Sequence, residues 1–173
     1  MKSESIIIPA LSALILSLGA CATDECLDNK NSLPLAGFYS SALSPEAVSV
    51  DSVSLLAIGA PGDSLILNNA RNVSQAYLPF DLDSRQTTFR LYYDFTASAN
   101  GGQPLYDDIT FSYEIKPWFV SSACGAIYKY QIEEIRSTTL FLDSVTCPSG
   151  IIDNTPGQNI FFYFRTSGEG EQR

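Results

Sequence analysis

Residues 86–95 alternate: Phe89, Leu91, Tyr93 and Phe95 fall on one side of an extended chain, Arg90, Tyr92 and Asp94 on the other. A period of two predicts a β-strand with one buried face, because successive side chains leave a pleated strand in opposite directions. The next run is cleaner. Over residues 109–119, Ile109, Phe111, Tyr113 and Ile115 alternate with Thr110, Ser112, Glu114 and Lys116, a segregation that helical periodicity does not produce. Between the runs lies Ala99-Asn100-Gly101-Gly102-Gln103-Pro104, where Asn and Gly accept positive φ and Pro ends ladder pairing, so the two runs predict an antiparallel hairpin with a long loop.

Further strands are predicted over residues 33–40, 52–59, 64–68, 75–80, 127–136, 140–145 and 159–166, separated by breaks such as Ala60-Pro61-Gly62-Asp63. The last of them carries Ile160-Phe161-Phe162-Tyr163-Phe164, apolar on both faces, and is expected inside a sheet or under a covering segment, since an exposed edge of that composition invites aggregation. Ser44-Pro45-Glu46 is expected to open one helical turn, with Ser as N-cap and Pro at the first position. Nothing longer reads as helix and no internal repeat is present. Many short strands with frequent turns predict a single antiparallel β-sandwich domain, immunoglobulin-like or similar.

The amino terminus reads differently. An apolar stretch at residues 6–18, broken by Pro9, Ser12 and Ser17, is too short for a comfortable membrane span and suits the apolar part of a secretion signal. Leu18-Gly19-Ala20-Cys21 ends it and resembles the lipobox of bacterial lipoproteins, where small residues let an extended backbone enter the peptidase beside an acylated cysteine. The resemblance implies cleavage before Cys21 and lipid on its sulfur and its amino group. An ordinary signal peptide with a structural cysteine nearby is the alternative. Several acyl chains, at about 0.8 kcal/mol per buried methylene, hold a protein almost irreversibly. Ala22 follows the cysteine, and Asp24-Glu25 resembles the acidic export signal of Bacteroidota surface lipoproteins, so the expected location is the outer membrane, facing the periplasm or the surface. The organisation is then a signal peptide at 1–20, a lipidated tether at 21–31, a β-sandwich at 32–167 and a disordered polar tail at 168–173.

Lys2 and Glu4 cancel in the removed segment, so the mature chain keeps the net charge of −9. An acidic domain repels nucleic acid and bare anionic lipid, and neither is expected as a partner. Besides Cys21, three thiols remain: Cys26, Cys124 and Cys147. Export favours oxidation, hence one disulfide and one odd cysteine, and spacing alone leaves all three pairings open.

Cys26 after an acidic pair, Asp63-Ser64-Leu65 followed by Asn68-Asn69, Leu78-Pro79-Phe80, and above all Phe119-Val120-Ser121-Ser122-Ala123-Cys124-Gly125 resemble a family of small Bacteroidota lipoproteins of unknown function. The resemblance spans most of the mature chain and implies Cys26 and Cys124 as the disulfide pair. Cys147 lies outside the pattern. No activity comes with the family.

The chain contains no histidine, which excludes Ser-His-Asp and Cys-His nucleophile activation and histidine metal sites. No phosphate loop or dinucleotide fingerprint occurs, and no cofactor is expected. Asp107-Asp108, Glu133-Glu134 and Asp81 with Asp83 are the carboxylates available for acid–base work. Neighbouring acids on a strand point to opposite faces, so neither adjacent pair meets across one bond without a bulge. Asp81 and Asp83 could share a turn and hold calcium with carbonyl help. The plainer expectation makes all six solvated or turn-forming, and an enzyme is not expected.

A binding module is the better reading, with Trp118 its candidate: strand phase puts it opposite Phe111 and Tyr113, near Tyr92 if the hairpin forms, where it could stack on a sugar or anchor a protein. Large aromatics are mostly buried, so the competing expectation places Trp118 inside, with Pro117 resetting the alternation. Asp51-Ser52-Val53, Asp63-Ser64-Leu65 and Asp143-Ser144-Val145 resemble a Bacteroidota O-glycosylation motif, or are turn residues at strand starts. Together these features predict a lipid-anchored, non-catalytic envelope component with an unknown protein or glycan partner. A surface carbohydrate-binding module is the first alternative and a carboxylate-dependent hydrolase the second.

Overall fold

A computed structural model describes residues 32–60, 63–93, 105–122 and 125–165. The expectations on Cys21, Cys26, Cys124, the 99–104 turn and the 168–173 tail lie outside those residues. Among the described residues there are ten strands: β1 (Leu35–Ser40), β2 (Val53–Ile58), β3 (Ser64–Ala70), β4 (Gln75–Tyr77), β5 (Gln86–Tyr93), β6 (Leu105–Ser121), β7 (Gly125–Ser137), β8 (Leu142–Thr146), β9 (Ile151–Ile152) and β10 (Ile160–Phe164). Among the described residues there is no helix.

The strands form a four-stranded sheet, β4-β1-β10-β8, and a six-stranded sheet, β3-β2-β5-β6-β7-β9. All pairings are antiparallel except β1 with β10. The chain is an all-β sandwich. Phe89, Leu91, Ile109, Phe111 and Tyr113 supply the buried face of the larger sheet and Phe38, Ile160 and Phe162 that of the smaller one, in one continuous core. Alternation therefore placed Phe89, Leu91, Ile109, Phe111 and Tyr113 inside; Tyr93 and Ile115 are half-buried, and Phe95 lies outside the described residues. In β5 and β6 the register sets Phe89 opposite Ile109 and Thr87 opposite Phe111.

Phe80, from the segment after β4, fills the space beside the larger sheet: its ring centre lies 4.7 Å from that of Tyr113, 5.0 Å from Phe111 and 5.2 Å from Tyr130. Each such pair contributes roughly 0.5–1.5 kcal/mol beyond the area it buries. The Tyr113 hydroxyl is satisfied inside this cluster, donating to the Asp81 carbonyl at 2.7 Å and lying 2.6 Å from Thr87 Oγ1. Burial, with the nearby Tyr113 and Asp81, pushes the Tyr130 phenol up to about 12.

The two-faced apolar strand is β10, interior to its sheet between β1 and β8. Its core side meets Phe38, stacked on Phe162 at 5.7 Å, and its outer side packs Phe161 and Tyr163 against Tyr39 at 5.4 and 6.2 Å. The expected helical turn at Ser44 is absent. Ser40 Oγ accepts the Glu46 N–H at 3.0 Å, the Ser40 N–H donates to the Glu46 carbonyl, and Ala47 bridges to Tyr39. The chain is thus folded back on β1 before a helical turn can form. Strand β9 is the unpredicted element: two residues carry no readable period, yet Ile152 is fully buried and pairs with Tyr130.

Asp107 departs furthest from expectation, because it is fully buried instead of solvated. Its position in β6 is an inward one, opposite Leu91. Its carboxylate accepts five hydrogen bonds: from the N–H groups of Leu140 (2.6 Å), Phe141 (2.9 Å) and Leu142 (3.0 Å), the Thr138 hydroxyl (2.8 Å) and the Tyr93 hydroxyl (3.0 Å). The connection from β7 to β8 is wrapped around this one charge. Burial pushes the acid's pKa up, but the Phe141, Leu140 and Leu142 amides and the Thr138 hydroxyl outweigh it and hold Asp107 below the usual carboxylate value of 3.8. The Tyr93 phenol moves the other way, raised by burial and by the Asp107 charge.

A carboxylate whose folded pKa is depressed stabilises the fold above its unfolded pKa and loses that contribution as pH falls through the folded value. The wild-type urea midpoint is therefore expected to drop as pH is lowered from about 5 to about 3. Asp107→Asn turns one acceptor oxygen into a donor facing other donors. It is expected to cost roughly 3 kcal/mol at neutral pH and to flatten the acid limb; urea titrations of both proteins across this range check it.

Candidate functional site

Trp118 stands on β6 opposite Ile127 of β7, and Tyr92 on β5 opposite Tyr106 of β6. Tyr106 and Trp118 are twelve residues apart along β6, a separation of roughly 40 Å at about 3.4 Å per residue. The structure does not bring Trp118 and Tyr92 together. Tyr92 belongs to a cluster at the far end, its ring 5.5 Å from that of Tyr106. There Arg90 grips Asp108 with Nε and Nη2 at 2.6 and 2.8 Å and lies over the Tyr106 ring at 4.1 Å.

The expectation that Trp118 is buried is also corrected: it is 56% exposed. The register gives the reason. Strand β5 pairs β6 only as far as Ser112, and β9 pairs β7 only at Tyr130 and Gln131. Beyond those points β6 and β7 continue as a two-stranded ribbon, and Trp118 and Phe119, 67% exposed, stand on it.

This ribbon, β9 and the segment 153–159 frame a groove of about 670 Å³ whose lining includes Lys116, Trp118, Lys129, Gln131, Ile151 and Phe161. Lys129 Nζ lies 4.5 Å above the Trp118 ring centre and 3.6 Å from Asp153 Oδ2, a cation–π contact tied to an ion pair. Asp153 has a lowered pKa: its hydrogen bond with the Thr155 side chain contributes most and burial opposes it, while the Thr155 N–H and Lys129 add to the lowering. The wall opposite the ribbon is held from the smaller sheet. Gln158 Oε1 accepts the Tyr39 hydroxyl at 2.6 Å, and Asn159 Oδ1 accepts the Leu35 N–H at 3.0 Å. Gly37 leaves room for this, since a Cβ there would collide with the Gln158 amide.

The six carboxylates do not converge. Asp107 points inward as the structural clamp, and Asp108 points outward to Arg90. A bulge does fall at the second pair, leaving Glu133 without a partner between Ser112–Glu134 and Tyr113–Ile132. Both glutamates are nevertheless exposed, and Glu134 pairs with Arg136 at 2.7 Å. Asp81 shapes its own turn, accepting the Asp83 N–H at 2.9 Å. Among the described residues no three acidic or cysteine side chains gather where a metal ion would sit.

Asp51 and Asp63 take the turn role, accepting the Asn72 and Gly59 N–H groups, whereas Ser144 of the third triplet lies inside β8. Among the described residues Cys147 has no disulfide partner, and its half-buried side chain packs against the core. Sequence reasoning missed Lys116 and Lys129 as site residues. The antiparallel register of β6 on β7 sets the two lysines directly opposite each other.

Gly37→Ala is expected to displace the Gln158 amide and cost about 1 kcal/mol through the lost Tyr39 hydrogen bond. In a Gln158→Ala background the same change is expected to cost little, and a double-mutant cycle by thermal unfolding measures the difference.

No curated protein and no solved structure matches this chain. A family model described as a family of unknown function (DUF6452) matches residues 52–164, from the start of β2 to the end of β10, and the chain belongs to that family.

Proposed function

We propose that the protein is a non-catalytic binding component of the bacterial cell envelope, held at the outer membrane by lipid on Cys21, with the Trp118 groove as its ligand site. The observation that carries this reading is the exposed Trp118 on a groove wall of about 670 Å³. A large aromatic left half in solvent on a projecting ribbon does nothing for the core, and concave sites with aromatic walls and a few polar groups are where small ligands bind.

The remaining chemistry of the described residues supports binding over turnover. Asp107 is consumed by five hydrogen bonds, and Asp153, the acid in the groove, is engaged by Lys129 and Thr155. The tether rests on the Leu18-Gly19-Ala20-Cys21 pattern. A carbohydrate ligand is the second reading, favoured by Trp118, because a half-exposed indole suits the C–H face of a sugar ring.

Two measurements test the proposal. Cys21→Ser is expected to move the protein from the membrane fraction to the soluble one, and continued membrane association overturns the anchor. On a glycan array, binding is expected for the wild type and lost in Trp118→Ala, with the thermal unfolding temperature unchanged. Binding that survives that substitution overturns the groove as the site.

A further inference from the structure

Both lysines among the described residues, Lys116 and Lys129, line the Trp118 groove. They are direct cross-strand partners in the β6–β7 ladder, an arrangement that costs stability because like charges stand opposite each other. Each has a single acidic neighbour at a loose distance, Glu114 at 3.4 Å from Lys116 and Asp153 at 3.6 Å from Lys129. Among the described residues the Gln131 side-chain amide, on the same wall, has no hydrogen-bond partner. Two cations concentrated on one aromatic wall of a chain with net charge −9 call for a ligand that brings negative charge to that place.

We propose that the groove binds a short acidic sugar of the hexuronate class, with the pyranose against Trp118, its carboxylate at Lys129 and Lys116, and a ring hydroxyl at Gln131. This rests on the groove being the ligand site. The Lys129 ammonium, 4.5 Å from the indole centre, stands where the carboxylate of a ring laid beside the indole reaches it. Charge-assisted hydrogen bonds of this kind are about twice as strong as neutral ones. The acidity of the rest of the domain repels extended polyanions, so the ligand's charge must be local, as on one or a few uronate rings. Nucleic acid fails that requirement.

Isothermal titration of the full-length, detergent-solubilised protein with a galacturonate trisaccharide and with neutral cellotriose tests the assignment. The acidic sugar is expected to bind about tenfold or more tightly than the neutral one, with affinity that falls as salt rises. The double variant Lys116→Gln with Lys129→Gln is expected to erase that preference while unfolding at or above the wild-type temperature, since it relieves the like-charge pair. If cellotriose binds as tightly as the galacturonate and Trp118→Ala abolishes both, the acidic class is overturned and the groove stands. If neither sugar binds while a glycan on the array still depends on Trp118, the hexuronate class is overturned and the site again stands. If no ligand depends on Trp118, both readings fall.

Discussion

A single buried carboxylate organises one end of this sandwich. Ionised Asp107 has no water to solvate it, and an unpaired charge in that position would be prohibitive. The fold answers by turning three consecutive backbone amides, Leu140 to Leu142, and two hydroxyls toward its oxygens. The chain leaving β7 must therefore bend around Asp107 before β8 can begin, and β8 belongs to the other sheet. One acid thus sets where the chain crosses between layers, and it places β8 beside β10.

The aromatic core then fills what the crossing defines. Tyr93 illustrates the coupling, since its hydroxyl serves Asp107 while its ring packs on Phe141 at 4.5 Å and edge-on to Phe164 at 6.4 Å. Polar satisfaction and apolar packing meet in one side chain. At the opposite end the constraints relax: β6 and β7 outrun the strands that flank them, and among the described residues no third strand pairs with the ribbon that carries Trp118. The groove exists because of that difference in strand length, with the 153–159 segment as its second wall.

Much of this was legible in the letters. Alternation in Phe89-Leu91 and Ile109-Phe111-Tyr113 located the strands and their buried faces, and turn residues separated nine of the ten. What stayed hidden has physical causes. Asp107 occupies an inward phase in β6, but its amide partners lie more than thirty residues away, and no local pattern announces amides that distant. Strand β9 is too short to show a period. Trp118 was visible as a candidate, yet its exposure depends on where neighbouring strands stop, and its pairing with Tyr92 failed because the two stand at opposite ends of β6. Lys116 and Lys129 escaped notice because single lysines on strands read as solvated; only the ladder makes them a pair. The parallel joining of β1 to β10 was equally invisible, since it links residues over one hundred positions apart.

That last pairing carries a consequence for how the molecule comes into being. The centre of the smaller sheet is built from the first and the last of the ten described strands, so its two middle strands cannot meet until all the strands between them have been made. Closure over so long a stretch of chain is entropically slow, and a nascent chain emerging from the ribosome would carry β1 without its mate. Until β10 arrives, Phe38 has no stacking partner and the apolar edge of β1 stands open to wrong neighbours. The architecture favours a polypeptide that folds late, once β10 has been delivered.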